Sequence, residues 1–394
     1  MKTAIWLYLF LFVAFFDLHA QYPILTPFAI SIGAAPAFIG LMMGMYSITH
    51  LPGNLIAGFG VDRYGSRLFI VFSLMAAGIV LLFQSQVTDP WQLLLLRSIS
   101  GFVLAFLSPA CLALLARLTD DITQQGKLMA GNGLIHTLAS VVSPAAGAYL
   151  VAKIGFSVAF MVLGWMLVVT ALCALLFIKD INRKLDRHPA HGTSSASVKP
   201  SGKRPSSQPL PWLIFLLPVG FSCAQGILSF ELPLMVKTQD AMMTTGLLFS
   251  VISIGALITL SLLFLNRYPA FYRTLLGSIG LALLYFGIAA GAPLPLPVML
   301  LGIGMMKGII LPALSTLLIE ASGGEKYGRT FSVLSIAFSI GAFLGPMLAG
   351  QLRGYVSPYY IAFLGMMLAV LFLPFFKWRP IPPDRQTPIF HKTG

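Results

Sequence analysis

Acidic residues are scarce in this chain: 12 Asp and Glu among 394 residues, against 25 Lys and Arg. Charged residues of both signs make up only 9% of it, where soluble globular chains run near a quarter. With a mean hydropathy of +0.88, a water-soluble globule of this length is excluded. Cysteine is nearly missing as well. Cys111, Cys173 and Cys223 all fall in apolar stretches and no Cys-x-x-Cys occurs, so small buried thiols are expected rather than a disulfide framework or metal site. No phosphate-binding Walker sequence, metal-ligand cluster or hydrolytic triad is found, so no metal, no ATP and no enzyme chemistry is expected. Strand-period alternation is lacking too. Of the two structures that satisfy their own backbone in lipid, helices are therefore implied and a barrel is not.

What is present is a series of apolar runs, each near the ~20 residues needed to cross ~30 Å of hydrocarbon. They predict an all-α polytopic membrane protein with twelve spans near 4–28, 36–60, 67–86, 91–117, 128–151, 155–178, 211–236, 243–265, 273–292, 296–319, 329–351 and 357–376. The net charge of +13 could point to nucleic acid, but its placement argues otherwise. Of the 25 Lys and Arg, 20 fall on the side of the spans shared by both termini; Lys153, Lys237 and Arg353 fall on the other, and Arg97 and Lys307 lie within spans. Positive charge marks the cytoplasmic face, so both termini are expected inside, in the inner or plasma membrane of a bacterium. Residues 1–20 mimic a signal peptide, with Lys2, an apolar run and Leu18-His19-Ala20. Asp17 fits that reading poorly, and cleavage would turn the basic loops outward, so retention is expected.

The only long polar segment is 179–210, rich in Lys, Arg, Ser, Pro and His, which reads as a cytoplasmic linker. It divides the chain into an N-terminal six-helix bundle (1–178) and a C-terminal one (211–376), followed by a cytoplasmic tail (377–394). The bundles repeat one another. Gly126-Lys127 matches Gly328-Arg329, and Ser143 to Ala148 matches Gly345 to Gly350, both at an offset of 202. Gly101 and Pro109 match Gly304 and Pro312 at 203, and Asp62-Arg63-Tyr64 matches Asn266-Arg267-Tyr268 at 204. Several matches in order indicate duplication.

Residues 58–67 read Gly-Phe-Gly-Val-Asp-Arg-Tyr-Gly-Ser-Arg, a polar decapeptide between two apolar runs. Gly58, Asp62, Arg63, Gly65 and Arg67 resemble the loop 2–3 signature of the major facilitator superfamily of secondary transporters. The resemblance covers essentially the whole chain outside 179–210. It implies that fold, with the substrate site at the midplane between two pseudo-symmetric halves. It also implies that Asp62 latches the cytoplasmic side by pairing with basic groups across the interface; a topology-setting loop is the simpler reading. Gly341, Gly345, Pro346 and Gly350 offer a nearly side-chain-free helix face with a bend at the proline. Their first-half counterpart, with Ser143, Pro144 and Gly147, resembles in position the fifth-helix antiporter motif of proton-driven exporters. Ser-Pro stands there for Gly-Pro, and simple packing remains an alternative. Arg97 to Gly101 resembles the fourth-helix Arg-x-x-x-Gly element near the proton path of such exporters.

Four charged side chains lie well inside spans: Asp17, Arg97, Glu231 and Lys307, on spans 1, 4, 7 and 10. A charge in hydrocarbon costs at least ~2.5–3.5 kcal/mol, so each must face a cavity or a partner. At 1.5 Å per residue, Asp17 lies ~20 Å into span 1 and Arg97 ~9 Å into span 4 from the opposite side, close enough in depth for an ion pair. Lys307 comes out near the middle, ~15 Å in, and Glu231 near the outer mouth. The four are expected to converge on one water-accessible chamber. His136 and His50 are further titratable candidates, and His19, on another face of the helix from Asp17, is a weaker one. Phe10, Phe12, Phe15, Phe16, Phe102, Phe106, Phe215, Phe221 and Phe230 lie on the same spans; most are expected to face lipid or neighbouring helices, and those that line the pathway suit an amphipathic or aromatic solute. The expectation is proton-coupled efflux of a small amphipathic compound by alternating access, by a monomer that uses the proton gradient and no cofactor. Proton-symport uptake, flipping of a lipid-linked amphiphile and a non-transporting receptor are the alternatives.

Overall fold

The computed structural model describes residues 2–119, 121–178, 212–235, 241–321 and 327–374; the expected linker and most of the expected tail lie outside them. Every regular element among the described residues is helical. The first half comprises α1 (Lys2–Ser31), α2 (Pro36–Tyr64), α3 (Ser66–Gln84), α4 (Pro90–Leu104), α5 (Leu107–Ala116) and α6 (Ile122–Phe177). The second comprises α7 (Leu216–Met235), α8 (Ala241–Ser261), α9 (Ala270–Ala289), α10 (Leu296–Ala321), α11 (Tyr327–Leu352) and α12 (Pro358–Phe372).

These helices map onto the twelve expected spans with two local differences. Span 4 is not one rod. It breaks at Ala105–Phe106 into α4 and α5, because Pro109 has no N–H to return to the Ala105 carbonyl. Asp89 starts this span: its Oδ1 accepts from the Trp91 amide at 2.7 Å, and Pro90 follows in the first turn. Spans 5 and 6, both within α6, are two helices that meet without a loop at Gly155, whose non-helical φ of 80° favours glycine. Gly65, with φ 88°, makes the corresponding corner between α2 and α3, so the loop-signature glycine is a conformational requirement. Among the described residues nine helical stretches are long and apolar enough to cross a membrane: α2 and the 15-residue α12 are not among them, and one stretch covers both spans of α6.

The halves meet at the end where α1 finishes. There α2 lies against α11 and the first span of α6 against α8. The tolerance is backbone to backbone: a Cβ on Gly40 would strike the Pro346 carbonyl, and one on Gly350 would strike the Pro36 carbonyl. On the other seam, a Cβ on Gly246 would strike Ala148 and the Pro144 carbonyl. Small residues are what bring helices this close where lipid supplies no hydrophobic drive.

Candidate functional site

Below this seal the two halves part around polar side chains carried by the interior helices. Asp17 and Gln21 are one turn apart on α1 and share a face. Gln21 Nε2 donates to Asp17 Oδ1 at 2.9 Å, and Arg97 Nη1 of α4 donates to Gln21 Oε1 at 2.7 Å. The direct Asp17–Arg97 pair expected from depth is therefore corrected: a neutral amide stands between them. Gln21 reaches α4 first, and the guanidinium is drawn over the Tyr46 ring of α2, 4.5 Å from its centroid. Asp17 is only 1% exposed and Arg97 6%, yet Asp17 Oδ2 and Arg97 Nε have no hydrogen-bond partner.

The second half repeats the device with different ends. Gln225 of α7 lies 204 residues after Gln21, the separation that also relates Asp62 to Asn266. Its Oε1 accepts from Lys307 Nζ of α10 at 3.4 Å, and its Nε2 donates to the Tyr285 hydroxyl at 3.3 Å. In each half a glutamine on the first helix takes a cation from the fourth. Neither glutamine stood out in the sequence, where charge was the guide; their common repeat offset could have found them.

Glu231 does not join the others in one chamber. It sits a turn from the end of α7, where Arg353, just beyond α11, donates to it at 2.9 and 3.1 Å. Both lie at the sealed end, so the loop arginine meets the carboxylate before the cleft begins. The four expected charges thus fall into three groups rather than one.

The histidines depart from expectation in the opposite sense. His19 is buried on α1, and its Nδ1 lies 2.7 Å from the Phe15 carbonyl, which can only accept. Its ring meets His136 of α6 edge-on at 5.1 Å, and Phe15 meets His136 at 4.5 Å. His136 is nonetheless exposed. Lys307 of α10 lies within electrostatic reach of both imidazoles. Tyr22 and Phe249 of α8 touch across the halves, with ring centroids 5.9 Å apart. His50 lies apart from this group, bonded to Asn54 at 2.9 Å.

A separate cavity of about 210 Å³ lies within the sealed end, lined by Pro27, Ile30, Pro233, Ala241, Met242 and Thr245. None of the charged groups reaches it, so it is a packing gap rather than the chemical site.

The motif residues take structural places. Ser143 returns its hydroxyl to the Ala139 carbonyl at 2.5 Å, and Gly147 admits the Ala20 backbone of α1. Gly341 and Gly345 admit the Val219 and Cys223 carbonyls of α7, so these two pack within their own half while Pro346 and Gly350 meet α2 across the seam. In the loop, Arg67 donates to the Leu175 carbonyl of α6 at 2.5 Å, and Arg63 is exposed over the Tyr64 ring. Gly58 and the Asp62 side chain lie outside the described residues.

Comparison with known proteins accords with this arrangement. The profile of the Major Facilitator Superfamily matches residues 7–306. The chain is 22% identical to the Multi-drug resistance efflux pump PmrA homolog of Lactococcus lactis over 365 residues, covering 89% of this chain and 87% of that one. It is 25% identical to Multidrug resistance protein MdtG of Escherichia coli over 352 residues, 86% of this chain and 83% of that one. Among solved structures, a bacterial homolog of the human lysosomal transporter Spinster, inward-facing and unoccupied, superposes with a TM-score of 0.72 at 16% identity, covering 95% of each chain. The nucleoside transporter NupG superposes with a TM-score of 0.68 at 14% identity, covering 95% of this chain and 98% of that one. A profile match over most of the chain and the shared helical architecture establish that this multi-pass membrane protein is a transporter, not an enzyme, and belongs to the Major Facilitator Superfamily.

Proposed function

We propose that this chain exports a small amphipathic solute in exchange for protons, with Asp17 as the proton acceptor. The observation that carries the reading is the half-satisfied carboxylate. Asp17 Oδ1 is tied through Gln21 to Arg97 while Oδ2, equally buried, has no partner. A proton arriving at Oδ2 removes the negative end of the relay, and Arg97 is left as an uncompensated charge. The relay then has reason to rearrange, and a change of equilibrium between two packings of the halves follows from that differential stability. Efflux is favoured over uptake because one similar curated protein is named a multi-drug resistance efflux pump and another a multidrug resistance protein.

The orientation belongs to the same proposal. With the 20 basic residues on the side of the termini, that side is cytoplasmic and the membrane is a bacterial plasma membrane. The sealed end then faces outward and the cleft opens to the cytoplasm, as in the inward-facing Spinster homolog. In that state Arg67 holds its own half, and the Asp62 latch would engage when the cytoplasmic side closes. The two six-helix units act as rocking bodies joined by 179–210, in a monomer.

Proteoliposomes enclosing a pH-sensitive dye, with the solute moving down its own gradient, test this directly. Antiport acidifies the compartment that the solute leaves. Acidification of the receiving compartment would make the chain a symporter, and binding without any exchange would make it a receptor.

A further inference from the structure

We propose that the solute carried in the cleft is an amphipathic anion, held by the Lys307 ammonium on one wall with the His19 and His136 imidazoles facing it. This deepens the transport reading and rests on it. The starting point is an inventory of charge among the described membrane-embedded residues. Asp17 and Arg97 offset one another through Gln21. Glu231 and Arg353 offset one another directly. Lys307 is left over.

An ammonium has three protons to donate. Lys307 uses one, on a neutral amide oxygen at 3.4 Å, well beyond the ~2.7–2.9 Å of a charge-assisted bond. Among the described residues no carboxylate lies within ion-pairing distance of it. A lone cation at about half the depth of α10, ~16 Å from its start, is costly unless water or a counter-ion reaches it. Lys307 is partly exposed, so the cleft reaches it. The titratable groups within its electrostatic reach are the two imidazoles, which supply no negative charge; Phe15 and Tyr22 pack against them, and Phe249 against Tyr22.

A site with one unbalanced positive charge and aromatic walls gains most from a ligand with one negative charge and an apolar body. It repels a lipophilic cation of the same shape. Energetics of the journey agree. With the cell interior negative, the membrane potential favours outward movement of an anion.

Tetraphenylborate and tetraphenylphosphonium share a shape and differ in sign, so they isolate the charge term. Their binding to the purified full chain in dodecyl maltoside is measured by equilibrium dialysis. The borate should bind at least tenfold more tightly. Lys307→Gln should erase that preference and Lys307→Arg should keep it. His136→Phe, at an exposed position, supplies a second variant should Lys307→Gln not fold; it should weaken borate binding at least threefold and leave phosphonium binding unchanged.

A preference for the phosphonium, equal binding, or a preference that survives Lys307→Gln overturns the anionic assignment while leaving transport standing. A wild type that binds neither ion overturns both. Displacement of the borate by decanoate makes the native anion a free solute, and displacement by phosphatidylglycerol makes it a lipid headgroup; either supports the assignment. Displacement by dodecyltrimethylammonium alone contradicts it.

Discussion

Asp17 and Glu231 are both buried carboxylates bonded to a donor, and their partners separate their roles. Glu231 has a guanidinium on both oxygens, and Arg353 is a third exposed, so the pair resembles a surface bridge worth ~1 kcal/mol or less. Glu231→Gln should therefore leave pH-driven transport intact, and a double-mutant cycle with Arg353→Gln should return a small coupling in thermal unfolding. Asp17 has a neutral amide on one oxygen and nothing on the other. Asp17→Asn should abolish transport driven by a pH gradient while exchange of solute across equal pH continues; unchanged driven transport would reject Asp17 as the proton acceptor. Gln21→Leu removes two hydrogen bonds to charged groups, each worth ~1.5–3 kcal/mol, and should lower the unfolding temperature more than Glu231→Gln does. Single charges in apolar spans could be read from sequence because each is an anomaly there. Gln21 could not, because an amide in a helix gains its meaning from what other helices bring beside it, and the same holds for the partners of His19.

At the scale of helices, two kinds of small-residue contact coexist. Gly341 and Gly345 hold α11 to α7 inside one half, whereas Gly40, Gly246 and Gly350 hold one half to the other. Only the second kind must separate if the sealed end opens. Gly40→Val should thus loosen the seal and shift the population toward the opposite opening, with transport reduced at least tenfold. Gly133→Ala, where an added methyl meets nothing within 4 Å, should be neutral. Maleimide labelling of a cysteine placed at Met43, on the turn after Gly40, reads the difference: faster in Gly40→Val, unchanged in Gly133→Ala. Sequence spacing identified these motifs but could not say which seam each would occupy. Both faces of α11 look alike in composition, and only the packing assigns Gly345 to α7 and Gly350 to α2.

For the molecule as a whole, apolar length and the repeat offset were enough to read twelve spans in two halves, because the hydrocarbon core sets helix length almost independently of detail; the superfamily rested on the resemblance of residues 58–67. The break at Ala105–Phe106 and the loop-free turn at Gly155 leave every span in its place, which is why the topology was still legible. What the sequence could not convey is that the charges divide into three groups, since depth along a helix fixes height in the membrane and leaves rotation free. The proposed orientation is open to a simple check: impermeant thiol reagents added to intact cells should label a cysteine at Ile154 and spare one at Tyr64.

Alternating access is the claim on which the rest depends, and paired spin-label distances test it most directly. On a background without the three native cysteines, one pair is placed at Ala35 and Tyr355, exposed at the sealed end, and another at Leu134 and Thr316, exposed beside the cleft. Lowering pH and adding solute should lengthen the first distance and shorten the second, and Asp17→Asn should suppress the response to pH. Two distances that stay fixed, or that lengthen together, would contradict a rocking carrier.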